Sequence, residues 1–258
     1  MRVGNRRASL IGVAAALFAL STAKTIRSDD NFELLDIRAP SFIGELRIKT
    51  FGRGTKSYFD LIRESSMHVT VHTLAFFDLQ SSEFLSLVPE FHSLTILEFR
   101  RCKISDISML LKRQDCVNSL QRVFVIESNI DGDFLASLAE MNKLEFLVVS
   151  ACKISTNAFQ SLCDSKIKYL YCAHTDLNAT QVNHIARSKQ IVEATIQVSE
   201  PTRRQLLQMS QMKKLKKLTI ITGASRKKAR EFFSEVRPDV ELAFEDPLPV
   251  VTSAARTN

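Results

Sequence analysis

The chain has 258 residues, 45% of them hydrophobic and 24% charged, enough to bury a sizeable core; this balance excludes disordered, collagenous and multi-span membrane classes. Seven Gly and no Trp against 17 Phe leave few glycines for phosphate-cradling loops or a dinucleotide fingerprint. The net charge is +7, but Arg2, Arg6 and Arg7 lie in a leader-like segment without acids, so +4 remains beyond residue 23, too little to imply a nucleic-acid partner.

Residues 1–9 (MRVGNRRAS) are basic, Leu10 to Leu20 is an unbroken apolar run, and Ser21-Thr22-Ala23 supplies small residues before Lys24. These are the three parts of a secretory signal, expected over residues 1–23. As a helix, Leu10 to Ala23 would span about 21 Å at about 1.5 Å per residue, short of the roughly 30 Å hydrocarbon core, which favours cleavage over anchoring. Uncleaved, it would be a signal anchor with its arginines in the cytoplasm. Either way the rest is expected to be exported: periplasmic, cell-surface or secreted. The competing reading is a hydrophobic N-terminal helix of a cytosolic protein. The first cysteine is Cys102, so no lipid acceptor adjoins the leader. Residues 24–42, with Phe32, Leu34, Leu35 and Ile37, are expected to form an N-terminal cap.

From residue 43 the chain repeats. LTILEFRRCKI (from Leu94), LQRVFVIESNI (Leu120), LEFLVVSACKI (Leu144) and IKYLYCAHTDL (Ile167) share the pattern LxxLxLxxCxI, with weaker copies from Ile43, Val71, Ile191 and Leu215. Between Val71 and Leu215 the starts are 23 to 26 residues apart. On these segments the sequence resembles the leucine-rich repeat family over residues 43–236. Cys102 and Cys152 resemble its cysteine-containing subclass, and the whole is similar to exported bacterial repeat proteins. The resemblance implies an α/β solenoid (horseshoe) of about eight repeats, each of roughly 24 residues, with a concave parallel β-sheet and convex helices, the repeat domain being residues 43–245.

The physics supports this independently. Positions 1, 4 and 6 of each unit would point inward from a short strand, and strands stacked about 4.8 Å apart would join them into one apolar spine that no single unit could bury alone. After position 11 the spacing turns helical, as in Phe134, Leu135 and Leu138, then Phe159 and Leu162, then Val182 and Ile185, then Phe232, Phe233 and Val236. Position 9 is a column of mostly small residues, Leu79, Cys102, Ser128, Cys152, Thr175, Ser199 and Gly223, several able to hydrogen-bond buried turn carbonyls. VELAF (Val240–Phe244) is expected to be a final strand, with a loose tail over 246–258.

Little in the sequence supports catalysis. His68 and His72 lack the Glu of a helical HExxH, and His92, His174 and His184 fall in different repeats. Cys172 would point inward and His174 outward, so they would not pair. Cys102 and Cys152, two repeats apart, would lie about 10 Å from each other, beyond disulfide reach. Cys116 and Cys163 are expected to pack in return segments. No cofactor or metal is implied, and the Asn178-Ala179-Thr180 sequon carries no functional weight.

A partner site would lie on the outward strand positions. Phe124, Ile126, Phe146, Val148, Tyr169 and Tyr171 form a central apolar cluster, rimmed by Glu98, Arg100, Arg122, Glu145, Lys168 and Glu193, with the anatomy of a protein-binding hot spot. The expected function is therefore a non-enzymatic interaction module that binds a protein partner on its concave face. Alternatively, Lys213, Lys214, Lys216, Lys217, Arg226, Lys227, Lys228 and Arg230, with no acid among them, would hold an anionic polymer or a membrane surface at the cell envelope. A third reading, an intracellular substrate adaptor, would need a docking domain ahead of the repeats.

Overall fold

The computed structural model describes residues 45–49, 72–78, 88, 91–104, 118–130, 132–224 and 226–247. The leader, the cap, the tail from residue 248, His68, Leu79 and Cys116 lie outside the described residues.

Among the described residues nine parallel strands form one sheet: β1 (Glu45–Lys49), β2 (Thr73–Phe77), β3 (Ile96–Arg100), β5 (Arg122–Ile126), β7 (Phe146–Ser150), β9 (Tyr169–Asp176), β10 (Glu193–Gln197), β11 (Lys217–Ile221) and β12 (Glu241–Glu245), in that spatial order. Each strand of this sheet from β1 to β11 begins two residues after a unit start read from the sequence, and β12 overlaps the expected final strand (Val240–Phe244), one residue further on. Pairing is in register, position for position, so Ile96, Arg122, Phe146, Tyr169, Glu193, Lys217 and Glu241 lie in one row. Two-residue strands β4 (Lys103–Ile104), β6 (Asn129–Ile130) and β8 (Lys153–Ile154) make a second, narrow ladder. The chain returns through helices α1 (Gly132–Ala139), α2 (Ala179–Ala186), α3 (Arg203–Ser210) and α4 (Lys227–Val236), and through a 3-10 turn at Gln160–Asp164. With one strand per unit, a register that advances by whole units and a helical return, the fold is a leucine-rich repeat solenoid.

The inward columns hold it together. Leu94, Leu120, Leu144, Ile167, Ile191 and Leu215 at position 1 are buried, as are Leu97, Val123, Leu147, Leu170, Ala194 and Leu218 at position 4. At position 6, Phe76 stacks on Phe99 with centroids 5.5 Å apart, and Phe99 meets Phe134 of α1 edge-on at 6.0 Å. Such contacts join strand to strand and sheet to helix in a single core.

The position 9 column runs as expected over four units. The Cys102 thiol donates to the carbonyls of Arg100 (3.2 Å) and Phe76 (3.6 Å). The Ser128 hydroxyl accepts from the Cys102 N–H (3.0 Å) and donates to the Ile126 carbonyl (2.9 Å). Cys152 donates to Ser150 and Val125, and its N–H donates to Thr175 Oγ1 at 3.1 Å. The column then changes: Ser199 and Gly223 are exposed, and Val198 and Thr222 at position 8 take the buried place instead.

The reason is a change in the turn. At position 8 Asp78, Arg101, Glu127, Ala151 and His174 all have positive φ, between 51° and 59°, although none is glycine. The N–H groups of the first four donate to the position 7 carbonyl of the next strand. At β9 the register shifts: Cys172 pairs with Ile196 but Asp176 with Gln197, so Ala173, His174 and Thr175 bulge. The His174 N–H donates to the Gln197 side chain, and the Gln197 carbonyl accepts from Leu177 instead. Beyond this seam no left-handed residue occurs at position 8 among the described residues, and the chain turns inward one residue sooner.

Local signals set the helix starts. Asn178 with Gln181 and Thr202 with Gln205 form reciprocal capping boxes on α2 and α3. After α4, Arg237 donates to the carbonyls of Ser210, Met212 and Leu215 and pairs with both oxygens of Asp239, tying the end of α3 to the last turn of chain.

Candidate functional site

Since positions 4 and 6 point into the core, positions 3 and 5 lie on the opposite face of the sheet. In the middle of this face Phe124, Phe146, Tyr169 and Tyr171 are half-buried. Phe124 and Phe146 have centroids 5.7 Å apart and Phe146 and Tyr169 6.1 Å, with planes tilted by 42° and 35°. The aromatics thus form a continuous ridge over three strands. Val148, in register between Phe124 and Tyr171, is only 8% exposed and forms the floor beneath them. Ile126 at position 7 is half-buried, while beside it in register Ser150 is buried, as is Ala173 in the bulge of β9, so the ridge falls away to a lower strip. Burial pushes the Tyr171 phenol above its usual pKa.

Charged rim residues divide into paired and unpaired. Glu98 pairs with Arg100 on its own strand, and Arg100 also lies over the Phe77 ring at 5.9 Å. Glu145 pairs with Lys168 at 2.5 Å, a hydrogen bond that raises the lysine pKa. Lys217 pairs with Glu241 at 3.1 Å and is raised likewise. Arg122 and Glu193 are exposed and make no ion pair among the described residues.

The basic residues of the C-terminal end do not gather into one uncompensated patch. Lys213, Lys214, Lys216 and Lys217 precede or start β11, whereas Lys227, Lys228 and Arg230 ride on α4 with Arg226 at its cap. The acids missing from that stretch arrive from elsewhere: Glu241 at Lys217, Asp246 at Arg226, and Glu231 at Lys227, 3.9 Å away. Lys214 donates to Gln190, and Arg230 lies over the Phe244 ring at 5.6 Å. Lys213, Lys216 and Lys228 remain exposed without an ion pair among the described residues.

His72 Nδ1 bonds the Ser93 carbonyl at 2.9 Å, His92 and His174 are exposed, and His184 is buried in α2. Asn178 of the sequon uses its side chain as a helix cap. Cys102, Cys152 and Cys172 are buried and Cys163 is partly exposed, all as free thiols. Burial raises the Cys152 thiol to about 11 and pushes Cys172 up as well. Among the described residues no three His, Cys, Asp or Glu side chains are grouped so as to hold a metal ion, and no helix is long and apolar enough to cross a membrane.

No family model and no curated protein matches the sequence. Among solved structures the chain is similar to an internalin, InlF, from Listeria monocytogenes, with 14% identity and a TM-score of 0.47 over 71% of this chain and 49% of that one. It is also similar to TLR13, solved as a complex with ssRNA13, with 13% identity and a TM-score of 0.48 over 78% of this chain and 33% of that one. The chain therefore spans about half the length of the first and about a third of the second.

Proposed function

We propose that this leucine-rich repeat solenoid is an exported, non-catalytic module that binds a protein partner across the outward face of its sheet. The observation that carries the reading is the ridge of Phe124, Phe146, Tyr169 and Tyr171, four aromatic side chains left half-exposed side by side on short strands. Each aromatic side chain can bury about 150 to 250 Å², and aromatic anchors inside a polar rim carry a disproportionate share of interface energy. Export is supported by the sequence of residues 1–23, with its basic start, apolar run and small residues before Lys24.

The competing account is that the ridge only stiffens the sheet, at about 0.2 to 1 kcal/mol per cross-strand pair. A photo-crosslinking phenylalanine analogue in place of Tyr171, in cells of the native host, separates the two. It should capture a discrete protein, Phe146→Ala or Tyr169→Ala should abolish the capture, and the same probe in place of Glu235 on α4 should not reproduce it. Capture from α4 alone, or capture indifferent to the alanine variants, would remove the face from consideration.

A further inference from the structure

The aromatic ridge is electrically asymmetric. Positions 3 and 5 of β2 to β12 hold five charged side chains: Glu98, Arg122, Glu193, Lys217 and Glu241. Glu98 is neutralised by Arg100, and Lys217 by Glu241. That leaves Arg122 and Glu193 as the two without an ion pair among the described residues; they flank the two rings in one row, and on its far side Glu193 has Lys217 as its register partner, whose ammonium is bonded to Glu241. Arg122, Phe146, Tyr169 and Glu193 are register partners on four adjacent strands, β5, β7, β9 and β10. The row therefore reads cation, ring, ring, carboxylate, and three strand spacings of about 4.8 Å set the two charges about 14 Å apart. Between them at position 2 lie Glu145 and Lys168, which satisfy each other and leave no net charge beside the rings.

Resting on the reading that this face binds a protein, we infer that the partner segment is polarised: an apolar or aromatic centre with a carboxylate on the side of β5 and an ammonium or guanidinium on the side of β10. An arginine and a glutamate that make no ion pair among the described residues, next to desolvating rings, would each be penalised by the wrong charge and rewarded by the right one. Arg122 and Glu193 are thus specificity residues that fix the direction in which the segment lies. A separation of about 14 Å corresponds to about nine residues of helix or about four of extended chain. Strand segments of five residues give a face about 17 Å wide, and a helix of about 10 to 12 Å diameter fits within it.

The test uses the full chain and a phage-displayed library of random 16-residue peptides. Peptides enriched on the wild-type protein should carry an acidic residue on one side of an apolar centre and a basic residue on the other. Binding of a synthetic enriched peptide should weaken at least tenfold with Arg122→Glu or Glu193→Lys. Binding should return when both are combined and the peptide's two charges are exchanged. Both residues are exposed, and the circular dichroism and Tm of each variant establish that it is folded. Peptides that lose binding with Phe146→Ala and Tyr169→Ala yet ignore both charge variants would overturn the polarity while leaving the face intact. Peptides indifferent to the aromatic variants as well, or no enrichment at all, would overturn both.

Discussion

Replacing Ser128 by Ala removes one oxygen from a buried column and leaves almost no cavity, so it isolates the contribution of the hydrogen-bond ladder. Ser128 is 2% exposed. Its Oγ accepts from the Cys102 N–H at 3.0 Å and donates to the Ile126 carbonyl at 2.9 Å, linking one unit to the next. Two hydrogen bonds at about 1 kcal/mol each give an expected loss of about 2 kcal/mol, and the upper end rises toward 3 if a stripped backbone group stays dry. For a domain of this size that corresponds to a Tm lower by about 4 to 8 °C. Ser128→Cys is the control, because Cys102 and Cys152 occupy the same column and donate to the equivalent carbonyls; it should recover more than half of the loss. Urea unfolding followed by circular dichroism, with the slope unchanged, measures both. A Ser128→Ala midpoint within about 0.5 kcal/mol of wild type, with Ser128→Cys no better, would refute the view that this column ties the units together.

At the left-handed turn, Ala151→Gly should raise stability by about 0.5 to 1 kcal/mol, because φ is 53° there and a left-handed non-glycine residue costs about 1 to 2 kcal/mol, part of which glycine's freedom in the unfolded chain takes back; an unchanged or lower Tm contradicts this. Arg237→Ala should cost about 2 kcal/mol by releasing three backbone carbonyls and Asp239, and Arg237→Lys should recover little, since one ammonium cannot reach all four; equal Tm values for wild type and the lysine variant would count against it. Thiol alkylation at pH 8, read peptide by peptide, should modify Cys163 before Cys152 and Cys172. Burial holds the Cys152 thiol neutral up to about 11, against 9.0 when unfolded. The stability it confers is therefore complete below pH 9 and lost as pH climbs through 11, which alkaline titration of the urea midpoint would follow. Mass spectrometry of the secreted or envelope fraction should find a mature N-terminus at Lys24; an intact Met1 in the cytosol would refute export.

The repeat was legible because a solenoid writes its geometry as a period. Unit starts at Val71, Leu94, Leu120, Leu144, Ile167, Ile191 and Leu215 each precede a strand by two residues, and the apolar columns they define are buried. Features that depend on context leave no period in the sequence. Asp78, Arg101, Glu127, Ala151 and His174 share a left-handed turn that no common residue type announces. The bulge at Ala173 to Thr175 left the spacing of unit starts untouched and so gave no periodic signal. By contrast, N-x-x-Q at Asn178 and T-x-x-Q at Thr202 are capping-box signals that were there to be read. On the outward face the column positions were readable, but not the depth of Val148, which depends on the size of Phe124 and Tyr171 beside it. Nor could the linear sequence show that Glu241 and Asp246 would fold back onto Lys217 and Arg226.

The seam at β9 also governs how the chain could be recombined. Units before it leave their strands through a left-handed residue at position 8, and among the described residues units after it do not, although in both the position 8 N–H reaches the next position 7 carbonyl, as Val198 does to Ile221 and Thr222 to Glu245. Whole units are therefore interchangeable cassettes within either group, since each presents its neighbour with the same exit. A cassette moved across the seam would keep that backbone bond, but its buried loop side chain would fall one residue out of step with its neighbour's, position 9 on one side and position 8 on the other. Shuffling experiments, or natural gain and loss of units, should respect this boundary, with the bulge of Ala173 to Thr175 as the adaptor between two otherwise incompatible series.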